Sequence, residues 1–293
     1  MTINTIAVIG AGTMGRGIAY AAALGGYRTI LEDVSPAILE QGLAYIRQAL
    51  EEGIARGKVT PEQKDKALAR ISSASAVEDA CRQAELLIEA VPEEMETKLE
   101  IFTLFDKFAK PGAIFASNTS SLSVTEMAAI TFRPQNCIGM HFFNPVPKMK
   151  LLEIIKALET SEDTLRSCIE VGRQMGKEVV VVNESPGFIT SRMNALIGNE
   201  AFYMLQEGIA TAEDIDKALK LGLNHPMGPF ELVDLVGLDV RLSILEYLYK
   251  TLGEKYRPCP LLAQYVKAGR LGRKSGRGVY EYREAAAKQQ TDD

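Results

Sequence analysis

The stretch IAVIGAGTMGRGIAYAAALGG, residues 6–26, does most to limit how this chain can fold. A short apolar run breaks into Gly10, Gly12 and Gly15 and continues in small helix formers, which predicts a strand, a tight turn and a helix. A second apolar run, RTILED at 28–33, follows at once. Strand, helix and strand in this order form a βαβ unit, since parallel strands need such a crossover. Glycine triplets also occur in ordinary turns. The pattern becomes specific here because it follows a strand, opens a helix, and has Asp33 closing the next strand.

In that setting each residue has its own task. Gly10 permits the turn, Gly12 lets backbone approach a pyrophosphate, and Gly15 lets the helix close on the sheet. The amides of Thr13 and Met14, with the helix dipole behind them, face the phosphates. Asp33 is placed to accept hydrogen bonds from both ribose hydroxyls of an adenosine, whereas a 2′-phosphate there meets the charges of Glu32 and Asp33. NAD is therefore the expected cofactor, in preference to NADP.

Five more apolar runs, at 85–91, 113–118, 136–142, 150–156 and 178–183, extend the first unit into a large, mostly parallel sheet. Between Ser35 and about Arg70 the pattern is helical and charged, with Thr60 and Pro61 as a helix start, and predicts two long helices paired outside the sheet. After ESPGFI (184–189) the strands stop. Helical periodicity over 188–208, a Thr211/Asp214 capping pattern, Gly222 as a helix end, and Pro229 and Pro260 as helix starts predict an all-helical remainder. At 293 residues two domains are natural. The expected architecture is α/β: a Rossmann-like, mostly parallel sheet with a helical-pair insertion over 1–184, then an all-α C-terminal domain over 185–293. The polar segment 284–293 is expected to fray.

A net charge of −5 argues against nucleic acid as partner, since that affinity rests on basic surface. No apolar run reaches the roughly 18 residues of a membrane span. With the first strand starting close to Met1, no signal peptide is expected, and the chain reads as cytoplasmic. Cys81, Cys137, Cys168 and Cys259 are widely spaced, without C-x-x-C or clustered histidines, so neither a disulfide framework nor a metal site is expected.

Oxidation of an alcohol needs a group of near-neutral pKa to take the hydroxyl proton. The chain has two histidines. His225, in LNHPMGPF, reads as a turn residue. His141 lies in GMHFFNPVP at the end of a strand, where open α/β sheets place their ligands. Twelve residues on, after a Pro-x-Pro reversal, Glu153 interrupts the apolar strand KLLEIIK. A carboxylate there can hold the imidazole tautomer and stabilise an imidazolium, and an apolar strand rarely carries Glu without cause. ASNTSSLSV (116–124) supplies Asn118, Ser120 and Ser121 at another strand end, either as turn caps or as hydrogen-bonding groups for nicotinamide and substrate.

Together and in this order, GAGTMGRGIA, IEAVPEEMETK, SNTSSL, HFFNPVPKMKLLEII, PGFI, GPFELVDLVGLD and GRKSGRGVY resemble the L-3-hydroxyacyl-CoA dehydrogenase family, from about Thr5 to Tyr282. The likeness is strongest to bacterial members acting on 3-hydroxybutyryl-CoA. It implies an NAD-dependent interconversion of (S)-3-hydroxyacyl-CoA and 3-oxoacyl-CoA, with His141 as acid/base and Glu153 as its partner. Ser120 and Asn144 would contact the substrate, Asn118, Glu93 and Lys98 would border the cofactor, and a homodimer would form through the helical domain. One position departs from the family: Ser191 stands where an Asn is usual after PGFI, with Asn194 one turn later. Arg47, Arg56 and Lys58 in the helical insertion can meet the phosphates of coenzyme A, or form a solvated helix face. A decorated substrate such as 3-hydroxyadipyl-CoA, and a binder of NAD that has lost catalysis, are the alternatives.

Overall fold

The computed structural model describes residues 2–282; the segment expected to fray lies outside them. The chain divides into two compact units, Met1–Ser185 and Pro186–Asp293, one residue beyond the expected division.

The first unit is an eight-stranded sheet in the order β3-β2-β1-β4-β5-β6-β7-β8. Its strands are β1 (Thr5–Ile9), β2 (Arg28–Glu32), β3 (Ile71–Ala74), β4 (Leu86–Glu89), β5 (Ile114–Ser117), β6 (Cys137–Phe142), β7 (Leu151–Lys156) and β8 (Glu178–Asn183). All neighbours run parallel except β6 and β7. The central strands are buried on both faces, as their near-continuous apolar sequences require. Strand β3, with the sequence ISSA, is absent from the sequence reading: it is a half-exposed edge strand without an apolar run.

Alternation along β1 divides the core. Ile6 and Val8 face one side, packed with Ala19 and Tyr20 of α1 (Thr13–Leu24), Ile46 and Leu50 of α2 (Pro36–Ala55), and Ala67 of α3 (Pro61–Arg70). Ala7 and Ile9 face the other, against α4 (Val77–Cys81), α5 (Met95–Phe108) and α6 (Val124–Ala129). Helix α7 (Glu162–Gln174) covers the first face beside β7 and β8. Ser35 caps α2, and Thr60 forms a reciprocal capping box with Gln63 on α3. These two helices pack on α1 as well as on each other, but α3 has only ten residues, shorter than expected, because the chain returns to the sheet as β3.

The second unit holds α8 (Thr190–Gln206), α9 (Ala212–Gly222), α10 (Pro229–Val236), α11 (Leu238–Leu252) and α12 (Pro260–Lys267). Thr211 caps α9 by accepting the Asp214 amide; the Asp214 carboxylate accepts from the Thr211 hydroxyl, so only half of a capping box forms. Two buried carboxylates organise this unit. Asp216 accepts the amides of Phe230 and Glu231 and the Tyr280 hydroxyl. Asp234 accepts the amides of Val279 and Tyr280 and the Tyr282 hydroxyl. The GPFELVD and GRGVY motifs are thus joined by hydrogen bonds that tie the 278–282 segment to α10. No described helix is long and apolar enough to cross a membrane.

Candidate active site

The glycine turn has the shape its sequence requires. Gly10 has φ +98°, and a Cβ there would lie 2.8 Å from the Ala90 carbonyl oxygen. A Cβ on Gly15 would fall 1.7 Å from the Gly10 carbonyl oxygen, so the helix closes directly onto the turn. At Gly12 a Cβ would meet nothing within 4 Å, which leaves the outer side of the loop open. No side chain caps α1, and its first turn carries no acidic residue, so the amides of exposed Thr13 and half-buried Met14 are left for an anion. Asp33 is already oriented: its Oδ2 accepts the Ala11 amide at 2.9 Å and its Oδ1 the Ser35 amide at 2.8 Å. Each oxygen retains a second lone pair for a ribose hydroxyl. These residues fit an adenine dinucleotide.

Next to Asp33, Glu32 is 1 % exposed and its Oε1 has no partner. Burial, with Asp33 and Glu78 adding like charge, pushes its carboxyl up to about 7.

Strand β6 carries His141 and β7 carries Glu153, and the antiparallel register sets these two residues directly opposite each other. His141 Nδ1 lies 2.7 Å from Glu153 Oε2, with both side chains buried. Since a carboxylate only accepts, Nδ1 holds a proton, and in the neutral ring the lone pair falls to Nε2. The Phe143 ring packs against the imidazole with centroids 4.4 Å apart.

Asn118, after β5, accepts the Phe142 amide through its side-chain oxygen at 2.9 Å. The turn that follows is organised by Glu93, whose Oε1 accepts from the Thr119 hydroxyl at 2.6 Å, the Ser120 amide at 2.8 Å and the Ser120 hydroxyl at 3.2 Å. Lys98 is fully buried, donating to both oxygens of Glu89 at 2.8 and 2.9 Å, and lies 3.3 Å from Glu93 Oε2. It reaches the loop through Glu93 and has no exposed surface of its own to offer a ligand. Glu89 also accepts from Ser117 and the Val91 amide. Burial raises its carboxyl, and Lys98 opposes that rise. Sequence reasoning passed over Glu89, although it interrupts an apolar strand just as Glu153 does.

Arg56 and Lys58 are exposed and line a cavity of about 630 Å³ with Lys148, Lys150 and Lys177. Arg56 also pairs with Glu52 at 3.1 Å on its own helix. Asn144 is exposed in the turn between β6 and β7. Ser191 and Asn194 are half-buried in the first turns of α8, in the second unit. His225 lies in the turn after α9.

A family model described as 3-hydroxyacyl-CoA dehydrogenase, NAD binding domain, matches residues 5–185, and one described as 3-hydroxyacyl-CoA dehydrogenase, C-terminal domain, matches residues 187–282. The chain belongs to the 3-hydroxyacyl-CoA dehydrogenase family. It is 49 % identical over 285 residues to a probable 3-hydroxybutyryl-CoA dehydrogenase of Bacillus subtilis, covering 97 % of this chain and 99 % of that protein. It is 38 % identical to the mitochondrial hydroxyacyl-coenzyme A dehydrogenase of Sus scrofa, covering 96 % and 92 %. Among solved structures, the (S)-3-hydroxybutyryl-CoA dehydrogenase of Ralstonia eutropha matches with TM-score 0.93 and 44 % identity over 96 % of this chain and 99 % of that one. As a 3-hydroxyacyl-CoA dehydrogenase, the chain is an oxidoreductase that uses NAD.

Proposed function

We propose that this dehydrogenase interconverts (S)-3-hydroxybutyryl-CoA and acetoacetyl-CoA, with His141 as its acid/base. The observation that carries the reading is the 2.7 Å contact of His141 Nδ1 with Glu153, which supports the tautomer in which Nε2 of the neutral ring can accept a proton. The substrate is that named for the Bacillus subtilis and Ralstonia eutropha relatives.

In the oxidative direction His141 Nε2 takes the proton of the 3-hydroxyl. NAD, when bound, accepts the hydride that leaves C3. Glu153 keeps the ring in the reactive tautomer and stabilises the imidazolium that forms. The imidazolium then donates to the new carbonyl oxygen, joined by the Ser120 hydroxyl once it turns from Glu93. The Asn118 oxygen is taken by Phe142, so this residue presents N–H groups to the nicotinamide side. Gly10, Gly12, Thr13, Met14, Gly15 and Asp33 hold the dinucleotide, and Glu93, tied to Lys98, shapes the loop beside it.

Arg56 and Lys58 are assigned to the phosphates of coenzyme A on the strength of the basic cavity they share. Asn144, exposed in the β6–β7 turn, is assigned to the substrate. Ser191 takes the place of the family's usual Asn, with Asn194 completing its hydrogen bonding. The helical unit supplies the surface for a homodimer, and the four buried free thiols suit the reducing cytoplasm.

The deciding assay follows loss of NADH absorbance with acetoacetyl-CoA, run beside NADPH. Rapid turnover with NADH preferred supports the reading. Folded protein that binds NADH yet leaves acetoacetyl-CoA unreduced overturns the substrate.

A further inference from the structure

Lys177 stands between α7 and β8 and is buried, yet its ammonium faces no carboxylate among the described residues. It donates instead to two main-chain carbonyls, Val146 at 2.5 Å and Met149 at 2.8 Å. Both belong to the turn that joins β6 to β7, and so His141 to Glu153. The same turn is gripped from its other side. Val146 packs over Gly17 of α1, where a Cβ would come within 2.9 Å of the valine. Next to Lys177, the Glu178 amide bonds the Lys150 carbonyl at 2.8 Å, fixing the end of the turn onto β8.

A lone ammonium in this place is costly to bury, and desolvation alone pulls it down to about 8. More positive charge lies close by, since Lys148, Lys150, Arg56 and Lys58 line the same cavity, with Glu52 the one carboxylate among its lining residues. An aliphatic residue would avoid that cost but would leave two carbonyls of the turn without this donor. The ammonium therefore ties down two carbonyls of this turn at the cost of its own desolvation.

We infer that Lys177 is a positioning residue for the reaction: by clamping the Val146 and Met149 carbonyls, it seats the β6–β7 turn against α1 and holds His141 and Glu153 in register beside the dinucleotide helix. The inference rests on the acid/base reading of His141, and the role it gives Lys177 is exerted through that residue.

The experiment compares wild type with Lys177→Met, Lys177→Gln and Lys177→Arg, using acetoacetyl-CoA and NADH. The expected result is a kcat lower by about tenfold or more in Lys177→Met, as small misplacements of reacting groups produce, with KM for NADH unchanged. Lys177→Gln should fall between, and Lys177→Arg should restore most of kcat. A second readout is independent of turnover: the downfield proton resonance of the His141 Nδ1–H, assigned with a His225→Gln variant, should weaken or shift in Lys177→Met. Wild-type kcat and an unmoved resonance in Lys177→Met, with only thermal stability lowered, would overturn the inference. If Lys177→Met does not fold, Lys177→Gln decides on the same two readouts. If wild type itself fails to reduce acetoacetyl-CoA, the functional reading falls, and the resonance alone still decides whether Lys177 sets the geometry of His141.

Discussion

His141 and Glu153 face each other across the one antiparallel pair of an otherwise parallel sheet, and their side chains meet at 2.7 Å. The proposed acid/base and the group proposed to orient it are thus held by backbone register. His141→Ala should lower kcat by about 10²-fold or more, the range of a positioned general base. Glu153→Gln, which keeps shape but removes charge, should cost about 10- to 10²-fold in kcat with KM for NADH little changed, read from steady-state rates. A Glu153→Gln enzyme with wild-type kcat would mean that the carboxylate is only structural.

Asp33 secures the glycine turn through the Ala11 amide and is the residue proposed to hold the ribose. Asp33→Ala loses both, so the Kd for NADH, measured by fluorescence titration, should rise about 10- to 100-fold, as expected for hydrogen bonds to a charged group. NADPH should be affected far less, because the negative charge that repels its phosphate is gone. Equal losses for the two cofactors would count against Asp33 as the selector.

Lys98 and Glu89 form a fully buried ion pair beneath the 118–121 turn. Removing one partner strands the other, so Lys98→Met should cost about 3–5 kcal/mol in urea denaturation. The double variant Lys98→Met/Glu89→Gln should recover a good part of that loss. If the single variant unfolds like wild type, the pair contributes nothing to the stability of the loop.

Glu32 is raised to about 7 in the folded chain from an ordinary 4.5. The folded state therefore binds a proton that the unfolded state has released between these values, and the stability this gives is complete in acid and lost as pH rises through 7. Denaturation at pH 5 and pH 8 should show a fall that is smaller by about 1–3 kcal/mol in Glu32→Gln. An identical fall in both proteins would show that Glu32 is ionised throughout.

Charge reversal of Arg56 and Lys58 should raise KM for acetoacetyl-CoA several-fold and leave KM for NADH unchanged, with the effect shrinking as salt is added. No change in KM would return both residues to the role of a solvated helix face.

Much of this was readable before the fold. The glycine turn, Asp33, and the His141–Glu153 pair all announce themselves by residue type at a fixed place in a strand–turn–helix or strand–turn–strand pattern. What stayed hidden has physical causes. β3 is short, polar and at the sheet edge, so burial leaves no mark on its sequence. Lys98 reads as a cofactor neighbour until its burial against Glu89 is seen, because partners nine residues apart on a helix and a strand share no local signature. Lys177 looks like any surface lysine, since its partners are carbonyls, which every residue carries. Arg47 sits near Arg56 and Lys58 in the chain but lines a separate cavity with Leu68 and Ile71; the turn of α2 parts them.

Loops at the surface usually accept extra residues. The connection from Phe142 to Leu151 cannot be treated that way. Side chains alternate between the faces of a sheet, so a slip of one position in β7 would turn Glu153 to the opposite face and bring an aliphatic neighbour opposite His141. An insertion there that shifted the β7 register by one position would separate the proposed acid/base from its partner while leaving both side chains in the sequence.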